Sequence, residues 1–167
     1  MPQVRGRCVK KKLFVDKNVC IDCRYCEAVC SLVHDPDHRV NPRRARIVIR
    51  KDFDNAIFTP VVCRQCTKPA CVEACGFDAM AIDPTLDTPT IDPEKCTNCM
   101  DCLEACPFDA IFSDSEQGVA IMCDLCGGDP QCVKFCRPLP HVGYAALTYT
   151  TPEEWSKLKA RLILAKK

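Results

Sequence analysis

Aromatic residues and glycine are scarce in this chain of 167 residues. Aromatic side chains make up 7% of the sequence, with a single Trp, and only six residues are Gly. A core built from so few large side chains is too small to stabilise a domain by burial alone. No apolar run reaches the roughly 18 residues that a membrane-spanning helix needs, so the sequence predicts none. Something other than apolar packing must supply part of the stability.

Cysteine is the residue that the sequence has in excess. Seventeen Cys residues in a chain of this length often indicate a disulfide-linked secreted domain. Three features argue against disulfides here: residues 1–5 lack the apolar segment of a signal peptide, the count is odd, and the cysteines stand in tight groups. The sequence therefore predicts a cytoplasmic protein whose cysteines bind metal.

Four tetrads contain all but one of the cysteines. They are Cys20, Cys23, Cys26 and Cys30; Cys63, Cys66, Cys71 and Cys75; Cys96, Cys99, Cys102 and Cys106; and Cys123, Cys126, Cys132 and Cys136. The first and third tetrads have the spacing C-x2-C-x2-C-x3-C, whereas the middle gap widens in the second and again in the fourth. Cys8 lies outside every tetrad and is interpreted as an ordinary small side chain.

The C-x2-C-x2-C-x3-C spacing is that of bacterial ferredoxins, in which the fourth cysteine ligates the other 4Fe-4S cluster of a pair. Zinc is the structural alternative, but zinc sites usually separate two C-x2-C pairs by a longer loop, so the close third cysteine favours clusters. For the widened fourth tetrad, three clusters plus one structural zinc remains an alternative. Thiolate-bound clusters add negative charge to the formal +1. Basic residues, including Arg43, Arg44 and Arg46, are therefore interpreted as counter-charge rather than as a nucleic-acid site.

Outside the cysteine loops the pattern predicts an α+β fold. Segments 45–53 and 56–62 are expected to be strands around a turn at Asp54-Asn55, and segments 79–83 and 90–92 a second strand pair. Each final x3 spacing suits a short helix, which Gly76 or Pro107 would end. We expect residues 1–150 to form one four-cluster domain of tandem two-cluster ferredoxin-like modules.

Residues 151–167 are predicted to form a C-terminal amphipathic helix. Its first residues, Thr151-Pro152-Glu153-Glu154, form a capping box with Pro at the first helical position. One face carries Trp155, Leu158 and Leu162. This stripe is expected to pack on its own chain, with packing on a partner as the alternative.

Residues typical of a catalytic site are not apparent in the sequence. We find no Ser-His-Asp set, no pair of catalytic carboxylates and no Gly-rich phosphate loop, so the chain by itself is not expected to be an enzyme. Surface or loop positions are expected for the three histidines, His34, His38 and His141, because none has a metal-ligand spacing.

On these motifs, the segment from Cys20 to Cys136 resembles the four-cluster ferredoxin-type subunits of molybdenum and tungsten oxidoreductases, the family of the dimethyl sulfoxide reductase iron-sulfur subunit. It is similar to the small iron-sulfur subunits of tungsten aldehyde oxidoreductases and tungsten-type benzoyl-CoA reductases. The resemblance implies that the first tetrad pairs with the fourth and the second with the third. The implied ligand sets are site 1, Cys20, Cys23, Cys26 and Cys136; site 2, Cys123, Cys126, Cys132 and Cys30; site 3, Cys63, Cys66, Cys71 and Cys106; and site 4, Cys96, Cys99, Cys102 and Cys75.

The same resemblance implies a function. The chain would relay single electrons through four 4Fe-4S clusters, within a hetero-oligomer, between a tungsten or molybdenum pterin subunit and a flavin subunit or ferredoxin. A free polyferredoxin without a fixed partner is the alternative. Gly76 departs from the ferredoxin pattern, which has Pro after the fourth cysteine; this affects the local backbone rather than ligation.

Overall fold

The computed structural model describes residues 10–165, with side chains as far as residue 161. Cys8 and the side chain of Leu162 lie outside these limits. Within them, eight short strands pair into four antiparallel two-stranded sheets. The strands are β1 (Lys12–Val15), β2 (Ile47–Asp52), β3 (Ile57–Val62), β4 (Met80–Asp83), β5 (Thr88–Ile91), β6 (Ile111–Asp114), β7 (Val119–Met122) and β8 (Leu147–Thr150). Three sheets are hairpins of consecutive strands, and the fourth pairs β1 with β8.

Four of the five described α-helices belong to the cysteine tetrads. The helices are α1 (Tyr25–His34), α2 (Ala70–Glu73), α3 (Asp101–Ala105), α4 (Gln131–Phe135) and α5 (Pro152–Ala165). Each of α1 to α4 begins one residue before the third cysteine of its tetrad. As predicted, α3 ends ahead of Pro107 and α2 ahead of Gly76, whereas α1 has neither residue after its fourth cysteine and continues to His34. None of the helices within residues 10–165 combines the length and apolar character needed to cross a membrane.

The two strand pairs that the sequence predicts are present, with shifted ends. The turn between β2 and β3 is held by Asp52, whose carboxylate accepts hydrogen bonds from the backbone N–H of Asn55 at 3.1 Å and from its Nδ2 at 2.9 Å. β5 begins two residues earlier than predicted, since Thr88 pairs with Asp83. Pro89 is tolerated within β5 because one edge of each strand in a two-stranded sheet needs no N–H partner.

The main core is built largely from cysteine. Seven of the seventeen residues in the central buried cluster are Cys, and the hairpins supply aliphatic side chains such as Ile47, Val62 and Ile111. The hairpins and helices therefore form a thin shell around the tetrads. This arrangement accounts for a fold with few aromatic residues, because the space at its centre is lined by thiols rather than filled by large side chains.

Helix α5 closes the fold over the β1–β8 sheet. Its capping box forms as predicted: Glu154 N–H donates to Thr151 Oγ1 at 3.3 Å, and Thr151 N–H donates to Glu154 Oε2 at 3.1 Å. Trp155 stacks on Phe14 with ring centroids 5.2 Å apart. Trp155 and Leu158 pack against a second buried cluster that contains Tyr144. The described part of the apolar stripe therefore packs on its own chain, which was the first of the two expected arrangements.

The buried carboxylate of Asp16, which directly follows β1, connects that strand to α5. Asp16 is 5% exposed and accepts hydrogen bonds from the Tyr144 hydroxyl and from Lys159 Nζ. Burial by itself would raise the pKa of Asp16, but these two hydrogen bonds outweigh it and lower the pKa. The hydrogen bond to Asp16 in turn raises the pKa of Lys159.

Replacing Lys159 with Met should destabilise the chain by about 1–2 kcal/mol, because the change leaves a buried carboxylate without its cation while keeping the apolar stem. Since the pKa of Lys159 is raised on folding, the contribution is fully present below the ordinary lysine value of about 10.4 and is lost as the pH rises beyond it. Denaturant unfolding at several pH values measures both effects. The control Lys157→Met, at an exposed position of the same helix, should change stability by less than about 0.5 kcal/mol; equal losses in both variants would contradict this role of Lys159.

Candidate iron-sulfur sites

Four cavities are each lined by four cysteines, and each tetrad cysteine lines one of them. The quartets are Cys20, Cys23, Cys26 and Cys136; Cys30, Cys123, Cys126 and Cys132; Cys63, Cys66, Cys71 and Cys106; and Cys75, Cys96, Cys99 and Cys102. These quartets have the same members as the sets called sites 1 to 4 above. The cavity of site 1 is the largest of the four, at about 170 Å³, and the cavities of sites 2, 3 and 4 are small, at about 10, 20 and 20 Å³.

The exchange of the fourth cysteine between quartets follows from helical geometry. The x3 spacing puts the third and fourth cysteines four residues apart, which is about 6 Å along a helix and on one face of it. On α1, Cys26 therefore lines site 1 while Cys30 lines site 2. Helix α1 packs against α4, in which Cys132 lines site 2, and Cys136, which directly follows α4, lines site 1. The packed pair α2 and α3 relates sites 3 and 4 in the same way.

The four sites lie in a row. Shared helices join site 1 to site 2 and site 3 to site 4. Sites 2 and 3 adjoin where β3 and β7 end: Val62 lines site 2 and Cys63 site 3, whereas Met122 lines site 3 and Cys123 site 2. Sites 1 and 4 are therefore terminal. The two exposed tetrad cysteines are Cys23 and Cys99, so each terminal site has one ligand candidate at the protein surface.

The backbone adopts the same unusual conformation in all four cysteine loops. The residue before the second cysteine has a positive φ in every tetrad: Asp22 (+55°), Gln65 (+46°), Asn98 (+56°) and Leu125 (+57°). Such left-handed residues are uncommon outside Gly. Successive N–H groups in a chain that alternates between right- and left-handed conformations point into one concavity and bind anions. The loops are therefore shaped to surround a negatively charged group.

Backbone N–H groups also approach cysteine sulfurs from outside the loops. Arg46 N lies 3.2 Å from Cys30 Sγ, Ala110 N lies 3.4 Å from Cys106 Sγ, and Ala120 N lies 3.4 Å from Cys96 Sγ. Hydrogen bonds to ligand sulfurs and burial are among the factors that set the potentials of iron-sulfur clusters.

Burial makes the thiolate form of these cysteines unfavourable in the absence of a cation. It raises the pKa of Cys26 to about 12 and the pKa values of Cys71 and Cys102 to about 11, with nearby acidic groups adding to the shift. Such thiols stay protonated at neutral pH unless metal in the cavity stabilises the thiolate. A quartet of buried cysteines in an anion-binding loop fits a 4Fe-4S cluster, whose irons are held by four thiolates.

A charged network at site 2 was not apparent from the sequence. His34 was expected at the surface or in a loop, but only 10% of its side chain is exposed. Its Nδ1 lies 2.7 Å from the carbonyl oxygen of Cys30 and 3.6 Å from Cys30 Sγ, and its Nε2 lies 3.3 Å from Asp124 Oδ1. Arg46 Nη1 lies 2.5 Å from the other oxygen of Asp124. The expected positions are found for His38 and His141, which are exposed.

The protonation states within this network follow from its contacts. Burial by itself would lower the pKa of His34, but hydrogen bonding to Asp124 and Cys30 outweighs it and raises the pKa to about 9. Burial alone would raise the pKa of Asp124, yet the His34 hydrogen bond and the Arg46 charge hold that pKa well below its usual range. At neutral pH the network therefore contains two cations and one carboxylate.

The three arginines interpreted as counter-charge divide into two groups. Arg46 contacts the Asp124 network at site 2, as described. Arg43 and Arg44 instead lie against Glu116 at 3.4 and 3.3 Å, and Arg44 Nη1 lies 3.1 Å from the fully buried carboxylate of Asp114. Their nearest charges are carboxylates in the β6–β7 hairpin and its turn, so of the three only Arg46 has contacts with a cysteine site.

Comparison with known proteins identifies the family. The model of the 4Fe-4S dicluster domain family matches residues 55–140, which span sites 3 and 4 and the fourth tetrad. The aliphatic sulfonate oxidoreductase polyferredoxin-like subunit of Pyrococcus furiosus is 34% identical over 77% of this chain and 73% of its own length. The beta subunit of NADH-dependent phenylglyoxylate dehydrogenase of Aromatoleum evansii is 30% identical over 87% of this chain, which spans only 33% of that longer protein.

A solved structure of the active site complex BamBC of benzoyl coenzyme A reductase contains a chain that is 25% identical, with a TM-score of 0.48 over 93% of this chain and 90% of that chain. The resemblance to ferredoxin-type subunits of oxidoreductases, inferred above from the tetrads, is confirmed by the family match and the relatives. The short strand pairs and short helices of the fold agree with this resemblance to ferredoxin-type subunits. With its cysteine loops, paired helices and matching domain, the chain belongs to the 4Fe-4S dicluster domain family.

Proposed function

We propose that this chain is the electron-transfer subunit of an oxidoreductase complex and that its sixteen tetrad cysteines hold four 4Fe-4S clusters, one at each of sites 1 to 4. The observation that carries the proposal is the row of four cavities with four cysteines each. When bound, such clusters supply reversible one-electron transfer. The names of the relatives, which are polyferredoxin-like and other subunits of oxidoreductases, support the same function.

The protein's own residues would supply the ligands, the insulation and the charge balance. Cysteine thiolates would hold each cluster. The left-handed loops would direct their N–H groups towards it, and backbone N–H groups from outside the loops approach the sulfurs of Cys30, Cys96 and Cys106. Aliphatic side chains of the hairpins keep water from the inner sites. Since sites 1 and 4 are terminal and each has an exposed cysteine, electrons would enter at one of them and leave at the other.

For partners, we propose a tungsten or molybdenum pterin subunit at one terminal site and a flavin subunit or ferredoxin at the other. A row with two solvent-facing ends suits a chain that connects two redox partners rather than one that carries out its own reaction. The free polyferredoxin alternative would use the same ends but would show no stable partner.

Anaerobic purification of the native chain from its source tests the proposal. The complex should be brown, contain about 16 iron atoms per copy of this chain, four per cluster, and contain a pterin-bound metal subunit identified by mass spectrometry and metal analysis. Its visible absorbance should decrease when the substrate of that partner is added. About 12 iron atoms with one zinc would indicate that one site binds zinc, and a chain that purifies alone with about 16 iron atoms would indicate a free polyferredoxin.

A further inference from the structure

The Cys126 loop of the fourth tetrad has the longest run of left-handed residues among the cysteine loops of the described chain. Four consecutive residues have positive φ angles: Leu125 (+57°), Cys126 (+48°), Gly127 (+67°) and Gly128 (+99°). Two of them are not Gly, and left-handed conformations of such residues cost free energy. A loop of this kind needs fixed contacts at its ends, because nothing in its own backbone preferences selects the conformation that places Cys126.

Asp124 provides such a contact at the beginning of the loop. Its Oδ1 accepts a hydrogen bond from Cys126 N–H at 2.9 Å. The same carboxylate is held from outside by Arg46, just before β2, and by His34, the last residue of α1. His34 and Arg46 both also contact Cys30, the site 2 cysteine contributed by the first tetrad. Asp124 therefore connects the two chain segments that contribute cysteines to site 2.

We propose that Asp124 is a positioning residue for electron transfer at site 2: it holds the Cys126 loop in its left-handed conformation, and together with Arg46 it sets the charge that the site experiences. The inference rests on the proposed function and deepens it. A carboxylate close to a site disfavours the addition of an electron, whereas a guanidinium favours it. The two side chains are in contact, so the potential of site 2 depends on their balance.

The chain contains a matched control for a purely structural role. Like Asp124, Asp114 pairs with an arginine, Arg44, and accepts backbone hydrogen bonds in a turn, from Glu116 N at 2.9 Å and Gln117 N at 3.1 Å. Unlike Asp124, whose side chain is 38% exposed, it is fully buried. It contacts the β6–β7 turn instead of a cysteine loop. Changes at Asp114 and Arg44 should therefore affect stability without affecting cluster potentials.

The test is a potentiometric titration, followed by electron paramagnetic resonance, of the intact anaerobic protein and its variants. Asp124→Asn keeps an oxygen acceptor for Cys126 N–H but loses the charge. It should raise one of four midpoint potentials by roughly 59 mV, equivalent to a tenfold change in the oxidised-to-reduced ratio. Arg46→Gln should lower the same potential, and the double variant should return close to the wild-type value. The signal that shifts should be the one that Cys126→Ser alters.

A further variant separates positioning from charge. Asp124→Ala also loses the acceptor, so it should broaden or split the site 2 signal and reduce its occupancy, whereas Asp124→Asn should keep full iron. Asp114→Asn and Arg44→Gln should leave all four potentials unchanged.

Each other outcome has a definite meaning. Unchanged potentials in Asp124→Asn and Arg46→Gln with full iron, or equal shifts in the Asp114 and Arg44 controls, would overturn the role of Asp124 while leaving the proposed function intact. A wild-type chain without iron-sulfur signals would instead overturn the proposed function itself.

Discussion

Complete removal of iron is expected to unfold most of the chain between residues 12 and 150. Seven of the seventeen residues in the main buried cluster are cysteines, and without clusters their quartets surround four cavities. Four empty quartets at the centre of so small a core cannot be sustained, because the surrounding aliphatic side chains lose their packing partners. Metal binding free energy is then folding free energy, as in other small metal-dependent domains. Circular dichroism and amide hydrogen exchange during anaerobic chelation would follow the loss.

The pH dependence of cluster reassembly distinguishes an unfolded chain from a folded one. In an unfolded chain the thiols have ordinary pKa values of about 8.5, so iron uptake should rise with pH and level off above that value. If the iron-free chain kept its fold, burial would hold the pKa values of Cys71 and Cys102 at about 11. Uptake would then keep rising to about that pH. Native-like exchange protection at zero iron, combined with this later plateau, would show that the protein fold is stable without its clusters.

The cysteine spacing made the sites predictable, because a cluster-binding loop is a local feature. The second and third cysteines of each tetrad are close in sequence, and the x3 spacing corresponds to one helical turn. The pairing of tetrads, in contrast, depends on which helices pack together. α1 and α4 are separated by most of the chain, so the pairing could be expected only from resemblance to a family.

The segments Glu73–Met80 and Glu104–Ile111 are similar in sequence, and this internal repeat contained more information than the strand patterns alone. β6 and β7 (Ile111–Asp114 and Val119–Met122) were not predicted, although they occupy the positions of β4 and β5 in the repeated unit. Extending the alignment of Glu73–Met80 with Glu104–Ile111 further along the chain would have located this hairpin. The β1–β8 sheet had no such signal, since its two strands come from opposite ends of the described chain.

The network at site 2 could not be predicted for a related reason. His34 and Asp124 are 90 residues apart in sequence, and although Asp124 lies inside the fourth tetrad, no spacing connects it with His34. In addition, Arg44 and Arg46 are indistinguishable in the sequence as members of one basic run, yet they pair with carboxylates that have different surroundings. Arg44 reaches Asp114 in a hairpin, and Arg46 reaches Asp124 beside a cysteine loop. Only the three-dimensional arrangement separates a structural ion pair from one at a redox site.

The double variant Cys66→Ala, Cys106→Ala is expected to lose one complete cluster and keep three. Both cysteines line site 3, although they belong to different tetrads. Removing two of four ligands should abolish that cluster, and the other three sites keep all their cysteines. The iron content should therefore fall from about 16 to about 12 atoms, at four atoms per cluster. Iron analysis and electron paramagnetic resonance of the reduced protein measure the loss. Cys8→Ala, at the cysteine outside the tetrads, serves as the control and should retain the full iron content.

The comparison variant Cys99→Ala, Cys106→Ala removes two cysteines from one tetrad. Because Cys99 lines site 4 and Cys106 lines site 3, each site keeps three ligands, and neither cluster is removed outright. This protein should show a heterogeneous iron content and 3Fe-4S signals from two damaged sites, since three thiolates can still hold a cluster that has lost one iron. If the same-tetrad variant instead lost one cluster cleanly while Cys66→Ala, Cys106→Ala damaged two, each tetrad would close on its own cluster. The packing of α2 against α3 would then bring Cys106 close to site 3 without making it a ligand there.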